Sequence, residues 1–596
     1  YLLTVARRVH TGFYDKRDGW MNTVVPGVPP LNGVDAYGGR LTLLWKPSSA
    51  FDLLFKFGST HSGGTPYGAK ALNVDPAVVG TDGNYGGWWN GGAKYAIDKK
   101  LDHTNGVLKI DWQFSDHYTL TAVSGYDYGN WYERSDDGAL WKADNGDVLH
   151  IDDPNLYSSS INAWSQEVRI ASHDTGAFGW LAGGYYGHDS THYVEQFHFF
   201  DSTFQGFYAP QQPSLWGFDE YNNFDQDRNS KAVFFNANYD VAPNVKLRGG
   251  LRYTKDDITI RNFYALLGGM TNRPVVNGPD SYPVVWTQTI PYVTSIAFEV
   301  WNVPNSLAAP AGLVPNFSHD TSNTSAMAGV DWKIASDVLG YFTFSQGYRG
   351  AAFNGQAFNN DSELTFANPE TLNAYEVGLK SELLDRRLQL NGAMFYYDYK
   401  NQQFLDTYCA YPDFYGPDTC GGAGFRLVNA PKSKVYGGEI EMHAKVTAGL
   451  DVQANLGLLH SEYTDLYLRG ANRSGNHLIM APDVSAGLVV DWRAARFAIG
   501  DLHLEVDGNY YARQYFDAMN TERISQGSYS VYNARVSLLA TGDNHLSFAL
   551  WGKNLGNEQY LSYGLAQRNP SEGGLGFDYT LVGEPRTYGL EVTVRY

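Results

Sequence analysis

No stretch of this chain approaches the ~18 unbroken apolar residues that a membrane-spanning helix requires. That excludes crossing by helices. It does not exclude crossing by strands, because a barrel strand is polar at every second residue. Cysteine is almost absent: Cys409 and Cys420 lie in one segment rich in Gly, Pro and Tyr. One local pair suits an oxidising compartment and a loop staple. The alternative is two free thiols, which would be reactive if exposed there. Charged residues make up only 18%, and the formal charge is −19. Nucleic acid is therefore not an expected partner, because its phosphates call for Lys and Arg patches. No low-complexity linker divides the 596 residues. Tyr1 opens in mid-pattern, which reads as a mature or truncated piece.

Signatures of catalysis are also missing. Gly63-Gly64-Thr65-Pro66 lacks the Gly-Lys-Ser/Thr ending that holds phosphates and magnesium. No pair of carboxylates stands out from the surface acids, as a hydrolytic cleft would need. The chain therefore reads as a non-enzyme that needs no cofactor. His188, His192 and Glu195 have a spacing that would gather metal ligands on a helix. On a strand-to-loop segment that spacing carries little, so no metal is expected. His443 alternates with Glu439, Glu441 and Lys445 and reads as one polar face of a strand.

What is abundant is glycine (64), tyrosine (43) and alternation. In the last stretch Tyr588, Leu590, Val592, Val594 and Tyr596 fall on one face, and Thr587, Gly589, Glu591, Thr593 and Arg595 on the other. A strand that ends the chain on an exposed aromatic suits a transmembrane barrel: apolar row to lipid, polar row to a wet lumen, terminal aromatic in an interface girdle. The same grammar runs through the chain as long loop, strand, short turn, strand. Leu41, Leu43 and Trp45 oppose Arg40 and Thr42; Leu108, Ile110, Trp112 and Phe114 oppose Lys109, Asp111 and Gln113. Short turns fall at Pro47-Ser48-Ser49, Ala242-Pro243-Asn244 and Thr447-Ala448-Gly449. The pattern predicts an all-β, antiparallel transmembrane barrel over residues 1–596, with 20 strands visible, ten long loops and nine short turns. Long loops are expected outside and short turns on the periplasmic side. No fixed repeat of ~40 residues supports a propeller.

Nine segments in order resemble those of TonB-dependent outer-membrane receptors. They include Asp18-Gly19-Trp20, Gly39 to Pro47, Gln166 to Ile170, Gly249 to Thr254, and Ser345 to Arg349 with Phe353-Asn354. Pro369-Glu370 with Tyr375 to Lys380, Val428-Asn429-Ala430 before Tyr436 to Glu441, Trp551 to Tyr560, and Pro585 to Gly589 complete the set. Each is weak alone; together they cover essentially the whole chain. The resemblance implies a 22-stranded barrel with a plugged lumen. Tyr1 then falls at about the third strand, and the N-terminal plug and first hairpin are apparently absent from this sequence. A closed 20-stranded barrel is the alternative. The resemblance further implies active uptake of a scarce nutrient across the outer membrane of a Gram-negative bacterium. Its partners would be outer-membrane lipid and the TonB energy-coupling complex, the latter through the missing N-terminal segment. A ferric siderophore is the family's commonest cargo. A neutral oligosaccharide or an aromatic compound carried by the same mechanism, and a passive pore, are the other readings.

Binding residues are looked for among loop aromatics. A segment from Tyr193 to Phe224, including Phe199, Phe207 and Trp216, is thick with rings; Trp88 and Trp89 lie in another loop. These aromatics read either as a self-packed loop core or as a platform for a planar, apolar or sugar ligand. A third reading is a patch covered by an extracellular lipoprotein. Residues 263–320 carry only Arg273, Asp280, Glu299 and Asp320 as charges, which favours a neutral or weakly charged ligand over a strongly anionic one. Arg349, on the parity of Thr343 and Ser345, either meets a ligand carboxylate in the lumen or pairs with a luminal or plug carboxylate.

Overall fold

The computed structural model describes residues 5–23, 27–73, 87–91, 93, 97–136, 139–142, 148–151, 154–173, 176–199, 218–269, 316–357, 363–409, 423–541, 545–569 and 577–594. Twenty long strands form one antiparallel sheet, each paired with its neighbour in chain order. They are β1 (Val5–Arg17), β2 (Val34–Ser48), β3 (Phe51–Gly64), β4 (Asp98–Ser115), β5 (Tyr118–Asp136), β6 (Pro154–Ser172) and β7 (Phe178–Phe199). Next come β8 (Phe218–Ala242), β9 (Val245–Gly269), β10 (Phe317–Ala335), β11 (Val338–Arg349), β12 (Glu370–Leu383), β13 (Leu388–Cys409) and β14 (Ala423–Thr447). The last are β15 (Leu450–Asp465), β16 (Val484–Phe497), β17 (Gly500–Tyr511), β18 (Tyr529–Ala540), β19 (Leu546–Lys553) and β20 (Thr587–Val594). Every even strand from β2 to β18 returns through a short turn, and every odd strand leads into a longer connection. The strand number and the one-sided loops are as the alternation predicts.

One parity of each strand is apolar and solvent-facing. Val233, Phe235, Leu251, Val377, Leu458, Leu488, Leu550 and Leu590 are all large exposed hydrophobics on this face. On a soluble protein such a belt would be a large unfavourable surface; against hydrocarbon it is the expected surface. Trp112, Trp332, Tyr239 and Trp492 mark its short-turn edge. At the other edge one register row runs Tyr375, Tyr396 and Tyr436 across β12, β13 and β14. Two aromatic rows bounding an apolar band are the girdles of a transmembrane barrel.

The opposite parity is polar and internally paired. Arg248 donates to Asp331 at 2.8 Å and to Thr343 at 3.1 Å. Tyr341 donates to Glu376 at 2.6 Å, and Arg535 grips Glu591 at 2.8 and 3.0 Å. His443 lies in this wall, 3.3 Å from Asp451. Among the described residues no ladder joins β1 to β20. In hydrocarbon both of those edges need partners, because an unpaired backbone group costs several kcal/mol there.

The strands outrun the sequence expectation at the long-loop end. The aromatic segment from Tyr193 to Phe224, read as loop from its sequence, is strand through Phe199 and again from Phe218. β13 runs to Cys409 and β14 begins at Ala423, where the pattern placed the ends at Lys400 and Val435. Beyond the membrane band neither face touches lipid, so alternation disappears. The backbone ladder continues through segments such as Asn222 to Asn229, where no apolar–polar alternation marks the strand.

Candidate functional site

The connection 350–369 between β11 and β12 turns back into the long-loop end of the barrel. It makes a small hairpin in which Ala352–Phe353 pairs with Phe366–Ala367. Its apolar side packs on the luminal faces of β8 and β9. Phe224, Ile258, Ile260, Phe263 and Ala357 are buried there, with Tyr193, Phe317, Phe353, Leu364 and Phe366 against them. Ile258 and Ile260 have the parity opposite to the lipid-facing Leu251 and Tyr253, which places the cluster inside the mouth. Phe353 is its hub, with ring centroids 5.3 Å from Phe224, 5.3 Å from Phe317 and 5.9 Å from Phe263. His319 stacks on Phe366 at 5.0 Å.

Amide side chains strap this loop down. Gln403 donates to the Gly350 carbonyl at 2.9 Å and the Asn368 carbonyl at 2.8 Å, bridging the two ends of the loop. Asn429 donates to Asn368 and Asn401 carbonyls at 3.0 and 2.7 Å, and accepts from the Asn368 amide at 2.8 Å. Asn354, buried, donates to the carbonyls of Glu363 at 3.0 Å and Phe425 at 3.2 Å. Asn222 donates to the Gly355 carbonyl at 2.6 Å, and Gln356 to Glu195 at 3.2 Å. Amides suit this task because each offers donors and an acceptor without a charge to desolvate. Glu195 is fully buried on β7, well beyond the girdle. Burial pushes its carboxyl up to about 8; hydrogen bonds from Gln356 and Tyr193 pull the other way.

A charged knot flanks the strap. Asp406, 4% exposed on the outer part of β13, accepts from Arg469 at 3.1 Å and Arg426 at 3.3 Å. Burial raises its carboxyl and the two guanidiniums oppose that. The Arg426 guanidinium lies 4.7 Å over the Tyr408 ring, and the Tyr408 hydroxyl bonds Glu363 of the loop. Across the mouth, connections 18–33, 65–97, 512–528 and 554–586 share a second core of Met21, Leu31, Phe516, Ile524, Leu561 and Val582. Trp88 and Trp89 pack on it, and the Trp89 indole donates to the Gly583 carbonyl at 2.9 Å. Next to this core Lys70 donates to the Gly87 carbonyl at 2.7 Å, and burial lowers its ammonium to about 8.

The structure thus places Trp88 and Trp89 in one loop core, and Tyr193 and Phe224 in another. Arg349 is exposed on the luminal parity of β11, in register with Glu370, and enters no ion pair among the described residues. The side chains of Phe199, Phe207, Trp216, Cys409, Cys420 and Tyr596 lie outside the described residues. Tyr588, Leu590, Val592 and Val594 are exposed on β20. The suspected ligand trio separates. His188 meets Asn229 at 3.0 Å and His192 meets Asp225 at 2.8 Å, while Glu195 sits on the opposite face of the strand. Gln403 and Asn222 carried no sequence signal. Asn354 and Asn429 stood within quoted motifs, but the motifs did not disclose their strapping role.

The family described as TonB dependent receptor-like, beta-barrel, matches residues 44–555. Among solved structures, the ferric yersiniabactin uptake receptor FyuA from Yersinia pestis is similar at TM-score 0.70 and 15% identity, over 99% of this chain and 75% of that one. The siderophore receptor PiuA from Acinetobacter baumannii is similar at TM-score 0.67 and 16% identity, over 99% and 77%. The copper transporter OprC is similar at TM-score 0.61 and 12% identity, over 99% and 76%. At these identities the solved structures speak for the fold alone. The family match, together with an unbroken antiparallel sheet, a polar lumen and an apolar belt, means that this chain belongs to the TonB-dependent receptors of the Gram-negative outer membrane.

Proposed function

We propose that the cargo of this TonB-dependent uptake protein is a ferric siderophore of low net charge. The observation that carries this reading is the mouth itself. The partly buried rings of Phe317, Phe353 and Phe366 stand above a polar lumen, with Arg349 exposed on the luminal parity. Partly exposed rings suit a compact chelate with planar groups, and the Arg349 guanidinium suits a carboxylate. Similar barrels are named for ferric yersiniabactin and for siderophores, which supports the same class of cargo here. The sparse charge of residues 263–320 supports a chelate less anionic than a tris-catecholate.

Binding of ferric chelates to the full-length receptor in detergent, read by tryptophan fluorescence, tests this. Saturable, iron-dependent quenching by at least one weakly charged chelate is expected, with Arg349→Ala weakening it about tenfold. Saturable binding of a neutral oligosaccharide or an iron-free aromatic, with none of any ferric chelate, would overturn it. A large steady conductance in planar bilayers would instead mark a passive pore.

A further inference from the structure

The lipid-facing wall of β10 to β15 is not level. One register row runs Trp332, Gly340, Leu379, Gly392 and Ile440. The next row outward runs Phe342, Val377, Met394, Gly438 and Leu458. In the first row large side chains alternate with glycine across five strands, and Gly438 opens the second row beside them. The missing side chains leave a groove of about 730 Å³ lined almost wholly by carbon.

Its depth follows from the chain. These residues stand between three and nine positions from the nearest short turns, on the order of 10–30 Å by strand rise. The Tyr375–Tyr396–Tyr436 row lies beyond them. The groove therefore lies inside the hydrocarbon band, between the two aromatic rows. On its short-turn side Arg386 is 80% exposed in the β12–β13 turn, paired with the exposed Glu382 at 3.3 Å. Arg387 beside it is tied to the Val446 carbonyl at 2.7 Å.

We propose that this groove is a site for one phospholipid, with an acyl chain in the glycine notch and its phosphodiester at Arg386. The lining is almost wholly apolar, so the occupant is hydrocarbon. The notch is one side chain wide between strands ~4.8 Å apart, too narrow to admit a helix ~10 Å across. Bulk lipid is as apolar as the groove, so burial alone gives no preference for the site. Retention comes from shape and from a guanidinium placed where a phosphate arrives.

Native mass spectrometry of the full receptor, extracted from its own membrane in mild detergent, tests this. One retained phospholipid per chain is expected. Gly392→Leu fills the notch; a Cβ there first meets backbone at 3.7 Å, so the strand accepts it. That variant should lower the lipid-bound fraction about tenfold, and Arg386→Glu, on an exposed turn, by a similar factor. Normal heat-modifiable gel mobility would certify folding of both. Lipid retention equal in wild type and both variants would overturn the site, as would a lipid-free wild type. A chain dimer dissolved by Gly392→Leu would overturn it too, by assigning the groove to a second copy.

Discussion

Arg523 holds Asp578 by two contacts, Nε to Oδ2 at 2.7 Å and Nη2 to Oδ1 at 3.0 Å. The carboxylate is fully buried and also accepts from Asn73 and from the backbone amides of Gln567 and Arg568. Three separate connections thus meet on one acid. Asp578→Asn should loosen all three, because removing one partner of a buried pair costs about 3–5 kcal/mol. Limited proteolysis should find new cuts within 512–528 and 554–569 while the barrel stays resistant. An unchanged digestion pattern would show that the core around Ile524 suffices.

The second prediction concerns the strap. Gln403 bridges the Gly350 and Asn368 carbonyls, and its loss unties the two ends of the loop, leaving Asn368 only its bond from Asn429. Gln403→Ala should cost the loop about 1–3 kcal/mol of local stability. Hydrogen exchange should accelerate in residues 350–369 and leave the transmembrane ladders unchanged. Gln403→Glu should not rescue it, since a carboxylate cannot donate.

A third prediction is a pH dependence of opposite sign to the usual acid effect. The Glu195 carboxyl is pushed up to about 8 from an ordinary 4.5. Below 4.5 both folded and open forms carry the proton; between 4.5 and about 8 only the folded form does. The open form binds fewer protons there, so mouth stability falls as pH rises and the contribution is lost above about 8. Glu195→Gln keeps the shape without the charge. Exchange rates around Gly355 and Gln356 should rise from pH 5 to 9 in the wild type, after correction for intrinsic exchange, and stay flat in that variant.

The last strand supplies a fourth. Leu590 is 67% exposed on the lipid face of β20, in register with Leu550. Leu590→Arg puts a charge in the band at a cost of about 2–4 kcal/mol near mid-bilayer. Less folded receptor in the outer membrane and a lower urea midpoint in liposomes are expected. Thr593→Arg, on the luminal face of the same strand, should fold normally.

The transmembrane part was legible because lipid on one side and water on the other write a period of two into every strand. Leu108, Ile110 and Trp112 could be assigned to one face without any structure. The mouth was not legible for the same reason. Above the girdles Asn222, Asp225 and Asp227 have no lipid to face, so the ladder continues without a pattern. Tyr193 and Phe224 looked like loop aromatics and are strand residues facing inward. Trp88 looked like their companion and belongs to a different core, because sequence carries no record of which loops meet across the barrel.

Sequence alone determined the architecture: an all-β membrane barrel, the twenty strands of this sheet, which residues face lipid, and which end bears the long loops. Those features rest on local backbone geometry and on the contrast between hydrocarbon and water, both of which act residue by residue. Only the tertiary structure decided that connection 350–369 folds into the mouth, that Gln403 and Asn429 hold it, and that three glycines from separate strands align as one groove. Those relationships join residues tens to hundreds of positions apart. Pairing of the strands brings them together, and no local preference encodes the meeting.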